Sequence, residues 1–364
     1  MMKMNKWTMA LAAAGVVSLS SVAQAQEAVA GANAVAASGG LTGYISTSYT
    51  FRENNANDGT FRGGQGDSYS LDVVDLKWSS AQGAGEYATG YTVELWAGPA
   101  ASDIDTTDNA GNNNTVELMQ ANIDLRLPIG SGLNLKVGQF GTVVGREVYN
   151  YNENAFFTHS YGFAVEPTHH TGILADYQLT DDISVSLGVA GDTTSAQTNA
   201  GLGDGSSAYL YSVGYTVPDS LGFLGGTSLT LAGVVDADAG TDNFYLGADI
   251  PLPVTGLSYG VAWDIQDNTN ATATGDSNVV GHYLSYALSE KATLNVRYEH
   301  GNVNTSNAVA ASNGNIDGLE SLTVGLDYAL WGDEIISRVE YRTTDSDNGG
   351  VDTDSLSVNL IYQF

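Results

Sequence analysis

The chain has 364 residues, a formal net charge of −29 and no cysteine, which excludes a disulfide scaffold and a lipid-anchored cysteine at a mature N-terminus. No run approaches the ~20 apolar residues of a spanning helix. Mean hydropathy is only −0.09, which suits a large soluble β-protein or a membrane barrel that shows every second strand residue to lipid.

Residues 1–25 read as a secretory signal: Lys3 and Lys6 are basic, Met9 to Val17 is a short apolar core, and Ala23-Gln24-Ala25 is a small-x-small cleavage site. Residues 26–40 are a tract of small residues, expected to form a periplasmic linker or a plug at the barrel base. From Leu41 to Phe364, stretches of period-two alternation are separated by connections of two kinds. Long polar ones, rich in Asn, Asp and Gly, alternate with short turns such as Ile129–Gly132, Thr180–Asp182 and Ser289–Lys291. Eight long and seven short connections define sixteen strands, about 20 residues per strand and connection, which suits membrane strands of about 9–11 residues. The expected fold is all-β, a transmembrane antiparallel β-barrel.

The last strand states the pattern most clearly. Leu356, Val358, Leu360, Tyr362 and Phe364 share one face; Ser355, Ser357, Asn359 and Gln363 share the other, with Ile361 the single apolar intruder. Downward strands repeat a Tyr near their ends (Tyr177, Tyr215, Tyr286, Tyr328, Tyr362), as an interfacial girdle requires. Phe51, Trp263, Tyr298 and Tyr341 would form the second girdle, and all six prolines lie at strand ends, where no ladder N–H is lost.

Ten basic residues follow the signal. Apolar alternation assigns Arg52, Lys77, Arg126, Lys136, Arg297, Arg338 and Arg342 to the polar face, and Arg62, Arg146 and Lys291 to connections. None must face lipid, where a mid-depth Arg or Lys costs about 2–4 kcal/mol. The same faces carry acids, among them Asp124, Asp249, Glu299, Asp327 and Glu340. The interior is therefore read as a hydrated lumen of mixed charge. Arg126, Lys136, Arg297, Arg338 and Arg342, with Asp124, Glu299 and Glu340, are its predicted pore lining. The acidic excess then falls in loops and mouths, where it would concentrate cations or aid solubility in salt.

The longest connection, Gly141 to Glu166, carries nine large apolar side chains, too many for a freely solvated loop. It is expected to fold into the barrel and narrow the pore, with Arg146, Glu147 and Glu153 facing Arg126 and Lys136. The alternative packs it over the outer rim or against a neighbouring subunit. This region also carries a resemblance. Gly138-Gln139-Phe140, Gly145-Arg146-Glu147, Asn154, Ser160-Tyr161, Glu166-Pro167 and His170-Thr171-Gly172 resemble the signature of the OmpL-like putative beta-barrel porin family, over about an eighth of the chain. The resemblance implies an outer-membrane pore. Phe364 is similar to the C-terminal aromatic signal read by the barrel-insertion machinery.

Chemistry offers little competition. There is no Gly-x-Ser-x-Gly elbow and no His-Glu-x-x-His, and His282 and Ser285 fall on opposite faces of one strand. His159, His169 and His170 are read as structural. His282, between Val280 and Leu284, is expected to face lipid, which implies a register slip or a subunit contact; a homotrimer is the assembly it hints at. Two acidic runs, Asp103–Asp108 and Asp345–Asp354, have the oxygen-rich character of Ca²⁺ loops but not the EF-hand pattern. No cofactor, metal or nucleic acid is expected. The function read from the sequence is passive diffusion of small hydrophilic solutes and ions; the alternative is a structural or adhesive barrel with acidic loops and a blocked pore.

Overall fold

Sixteen strands run in chain order, each paired antiparallel with its neighbours, and the last closes on the first. They are β1 (Gly40–Arg52), β2 (Ser68–Ser80), β3 (Thr89–Ala97), β4 (Val116–Leu127), β5 (Leu133–Gly141), β6 (His169–Gln178), β7 (Ile183–Ala190) and β8 (Ala208–Thr216). The second half comprises β9 (Ser228–Asp236), β10 (Thr241–Pro251), β11 (Leu257–Asn268), β12 (Ser277–Ala287), β13 (Ala292–Val303), β14 (Ile316–Trp331), β15 (Ile335–Asp345) and β16 (Thr353–Gln363). This computed structural model describes residues 39–53, 67–104, 115–191, 207–236, 240–268, 276–304, 316–332, 334–347 and 352–364. The signal, most of the linker, Arg62, Asp105 and Asp108 lie outside the described residues.

Strand number and connection lengths agree with the alternation in the sequence, because register is set wherever a strand has two different environments. In β16 the buried positions are Thr353, Ser355, Ser357, Asn359 and Ile361, and the exposed ones Leu356, Val358, Leu360 and Tyr362. Apolar residues face outward and small polar ones inward, the reverse of a soluble sandwich. The ladder closes through a pair of backbone bonds of 3.0 Å each between Gly43 and Phe364. In β2 a register shift beside Ser46 turns both Asp72 and Val73 inward, and Asp72 accepts hydrogen bonds from Ser46 Oγ at 3.0 Å and Ser48 Oγ at 2.7 Å.

The aromatic girdles carry polar tips that find partners. Trp263 Nε1 donates to Asn278 at 2.8 Å, and Tyr341 Oη donates to Asp354 at 3.0 Å, at the end where the long loops emerge. Among the described residues, no helix is long and apolar enough to cross a membrane. Two short helices lie in long connections: α1 (Pro99–Ile104) packs on β2, β3 and β4, and α2 (Tyr161–Val165) lies within the third loop.

Candidate functional site

The third loop, residues 142–168, folds into the barrel and crosses it, which is one of the two placements its apolar content allowed. Its aromatics make the interior's core. Tyr149, Tyr151, Phe157 and Phe163 cluster with Tyr44, Trp96, Met119 and Ile361 on one wall. Val144 and Phe156 pack on the opposite side, against Leu174, Leu210, Val234 and Tyr283. Burying one such side chain contributes roughly 1.5–3 kcal/mol, enough to hold a loop with this many of them inside. Ile361, the apolar intruder in β16, is inward because the loop covers it.

Polar contacts fix the loop's path. Ser160 caps α2 by accepting from Phe163 N at 3.0 Å. Asn150 donates to Glu94 at 2.9 Å, Asn152 to Gln363 at 2.9 Å, and Gln266 donates to the Val165 carbonyl at 2.6 Å. Gly145, at φ +96°, leaves room for the Glu166 carboxylate where any side chain would collide, and Gly260 does the same for the Arg146 guanidinium.

The charges of β13 and β15 serve this loop. Arg297 donates from Nη1 to Glu147 at 2.7 Å and to the Thr158 carbonyl at 2.9 Å, pairs with Glu299 at 3.0 Å, and stacks over Phe156. Arg338 grips Asp327 with two bonds, of 2.7 and 2.9 Å, and donates to the Asn154 carbonyl at 2.7 Å. Arg342 donates to the His159 carbonyl at 2.8 Å. Glu340 accepts from Phe157 N and Thr158 N at 2.7 and 3.1 Å, and Glu299 accepts from Tyr161 N at 2.6 Å. These five residues face inward as their alternation requires, but they are buried: Arg297, Arg338 and Arg342 are 0–1% exposed. They hold the loop's backbone rather than lining open water. Arg126, Lys136 and Asp124 remain partly exposed toward the short-turn end, with Lys136 on Asp124 at 2.7 Å.

The loop's own charges meet other partners than expected. Arg146 pairs with Asp249 at 2.6 Å and stacks over Tyr283; Glu147 pairs with Arg297; Glu153 lies near Lys77 and Glu94. None meets Arg126 or Lys136, because the loop touches β4 higher on the wall, at Met119 and Gln120, while those two residues lie toward the short-turn end. Lys77, which pairs with Glu94 at 3.5 Å and is 29% exposed, is the basic residue that position alone did not single out.

Electrostatics of the loop follow from its burial. Desolvation alone would raise the Glu147 carboxyl, but Arg297, His159 and the Ser160 N–H outweigh it and hold it below the usual range. Burial lowers His159 from 6.5 to about 4, against the opposing pull of Glu147. Burial, with Asp264 beside it, raises Glu166 well above the ordinary value. His159 Nε2 donates to the Val148 carbonyl at 2.9 Å; His170 Nε2 and Thr142 Oγ1 lie 3.0 Å apart, and His169 Nδ1 is bonded to Thr168 at 2.6 Å. Among the described residues, no group of three or more His, Asp or Glu is placed to hold a metal.

On the outer wall the register holds at His282, which pairs across to Val261 and Tyr298 and points outward. Its Nδ1 is bonded to Tyr259 Oη at 2.6 Å, which partly satisfies the imidazole there, and Ser285 turns inward to Asn295.

The barrel is similar to outer-membrane proteins of known structure. Salmonella typhi OmpF in complex with daunomycin aligns with TM-score 0.63 and 12% identity over 90% of this chain and 97% of that one. The outer membrane channel DcaP of Acinetobacter baumannii aligns with TM-score 0.62 and 13% identity over 90% and 97%. In-vitro folded OmpT of Vibrio cholerae, in a trimer form, aligns with TM-score 0.57 and 12% identity over 90% and 99%. At these identities the likeness is one of fold. No curated protein matches the sequence. The model of the family Putative beta-barrel porin-2, OmpL-like, matches residues 35–364, and the chain therefore belongs to that family of bacterial outer-membrane barrels.

Proposed function

We propose that the protein is a passive diffusion porin. Small hydrophilic solutes and ions cross by electrodiffusion through the water left beside the third loop, without cofactor, energy input or catalysis. One observation carries this reading: on the inner face Lys136 and its partner Asp124 keep contact with water, as do the carboxylates of Asp249 and Asp327, whose arginine partners are covered. Charges hold water around them, and a circumference of sixteen strands encloses room for it. Export through residues 1–25, a lipid belt on the apolar band, and insertion by machinery that reads the strand ending in Phe364 belong to the same proposal. So does a homotrimer, supported by the trimer form of the Vibrio cholerae neighbour and by the outward His282.

A second reading, a structural or adhesive barrel with acidic surface loops and a blocked pore, draws on the loop's contacts with strands as far apart as β3, β11, β13, β15 and β16. Single-channel recording in planar bilayers separates the two. The refolded protein should give stable, small steps, and deletion of Tyr149–Ser160 should enlarge them. Unchanged steps in a folded deletant would remove the third loop as the constriction. No steps from inserted, heat-modifiable protein of either kind would favour the structural or adhesive reading.

A further inference from the structure

We propose that the turn between β8 and β9 docks into the inner leaflet of the outer membrane and anchors one sector of the barrel at that interface. Only the barrel's place in the membrane is needed for this, so the anchor is the same whether the lumen conducts or is blocked. The turn contains a short 3-10 segment, Asp219–Leu224, in which no side chain is buried. Its large apolar side chains are open: Leu221 is 58% exposed, Phe223 73% and Leu224 41%. The next turn along this rim, after β10, adds the exposed Val254. These two turns together carry a single charge, Asp219. Other turns on the same rim present exposed charges: Glu86 after β2, Asp181 after β6, Glu290 and Lys291 after β12, and Glu334 after β14. Water favours the charged kind of turn; an apolar tip of this size is stabilised only when something covers it.

The turn's position says what covers it. Backbone bonds fix its path: Val217 N donates to the Thr227 carbonyl and Gly226 N to the Val217 carbonyl, both at 2.8 Å, and Thr227 N to the Leu224 carbonyl at 3.0 Å. Gly222, at φ +70°, bends the chain between Leu221 and Phe223. The segment packs on β10, and a side chain at Gly226 would touch Pro251. Since β10 is the neighbour of β9 on the circumference, the turn follows the rim instead of reaching across the mouth. Directly above it the outer wall is lipid-facing, with Val213 on β8 and Leu229 and Leu231 on β9 exposed. The apolar tip therefore prolongs the lipid-facing band. Headgroups add about 5–7 Å to each side of the hydrocarbon core, and interfacial apolar side chains bury about 5–10 Å into the headgroup–acyl boundary. A turn of this length reaches that layer, and lipid is the cover already in contact with the adjoining wall.

The test uses the absence of cysteine from the chain, which lets a single introduced cysteine carry a fluorescent label. The refolded full chain is placed in phosphatidylcholine vesicles with the label on F223C. L187C, on the outer face of β7, is the lipid reference, and D181C, on the exposed turn after β6, is the aqueous one. Fluorescence is read against two quenchers: lipid spin-labelled near its headgroup, and iodide in the water. Phe223 is exposed and bears no packing within the barrel, so the labelled protein should remain heat-modifiable; L224C takes its place if F223C fails to refold. The label at 223 should follow L187C, losing fluorescence to the spin-labelled lipid and resisting iodide. A ratio of lipid to iodide quenching nearer to that of D181C overturns the anchor and leaves the tip as a docking face for a periplasmic protein. Neither result bears on conduction, so the porin reading stands or falls by its own recordings.

Discussion

Arg297 stays charged without touching water because Glu147, Glu299 and two carbonyls of the loop surround its guanidinium. Removing one partner from such a site leaves the others buried and uncompensated, which costs about 3–5 kcal/mol. R297M should therefore loosen the third loop while the ladder of strands persists. The expected readout is a lower temperature for conversion to the unfolded band on gels and larger, noisier conductance steps. A variant with wild-type steps and melting would show that the ion pairs add nothing to docking. His159 makes a second residue-level prediction. Docked, it titrates near 4 rather than 6.5, so between those values an undocked loop takes up a proton that the docked loop refuses. The contribution of His159 to docking is thus at full strength above pH 6.5 and weakens as pH falls toward 4, by up to about 3 kcal/mol. Glu147, held below its ordinary value, adds to this loss at still lower pH; Glu166, held above it, opposes docking as pH rises. Conductance of the wild type should increase between pH 6.5 and 4, and H159Q should lack that rise. A flat wild-type profile would rule the mechanism out.

At the scale of one element, each strand is a two-sided object whose faces tolerate different residues. Leu187 of β7 is 65% exposed on the outer face, whereas Ser184 and Ser186 belong to the inner one. L187R puts a charge in lipid at a cost of about 2–4 kcal/mol, while S184R points the same side chain into water. Refolding yield into detergent micelles or vesicles should drop for the first and hold for the second; equal yields would mean that β7 is out of register or not lipid-facing. The third loop is the element whose position alternation could not specify. Its composition said that it needed cover, and either the barrel interior or a neighbour could have supplied it. The interior wins because inward positions there are apolar or small: Ala190, Ala208, Leu210, Ala232 and Ala262 offer a surface for Val144 and Phe156. Those positions broke the polar-inside rule in the sequence, and they were the signal available for the loop's course.

For the whole molecule, closure removes every unpaired edge: β1 finds β16, and Phe364 meets Gly43. Closure also brings charges from distant strands together: among the described residues, Lys77, Lys136, Arg146, Arg297 and Arg338 of the interior each pair with a carboxylate. A channel through such a barrel would be governed by the few groups left without partners, not by the sum of its inward residues. The sequence by itself determined the strand number, the two faces, the girdles and the inward direction of Arg297, Arg338, Arg342, Glu299 and Glu340. These follow from a local rule, since successive strand side chains must point to opposite sides. Only the tertiary structure decided that the three arginines meet loop carbonyls instead of water, that Arg146 finds Asp249 rather than facing Arg126 and Lys136, and that Lys77 stands near Glu153. Partners more than a hundred residues apart, such as Glu147 and Arg297, are brought together by the circumference of the closed sheet and the path of one loop across it. Alternation reports which way a side chain points; it carries no information about what arrives from the other side of the barrel to meet it.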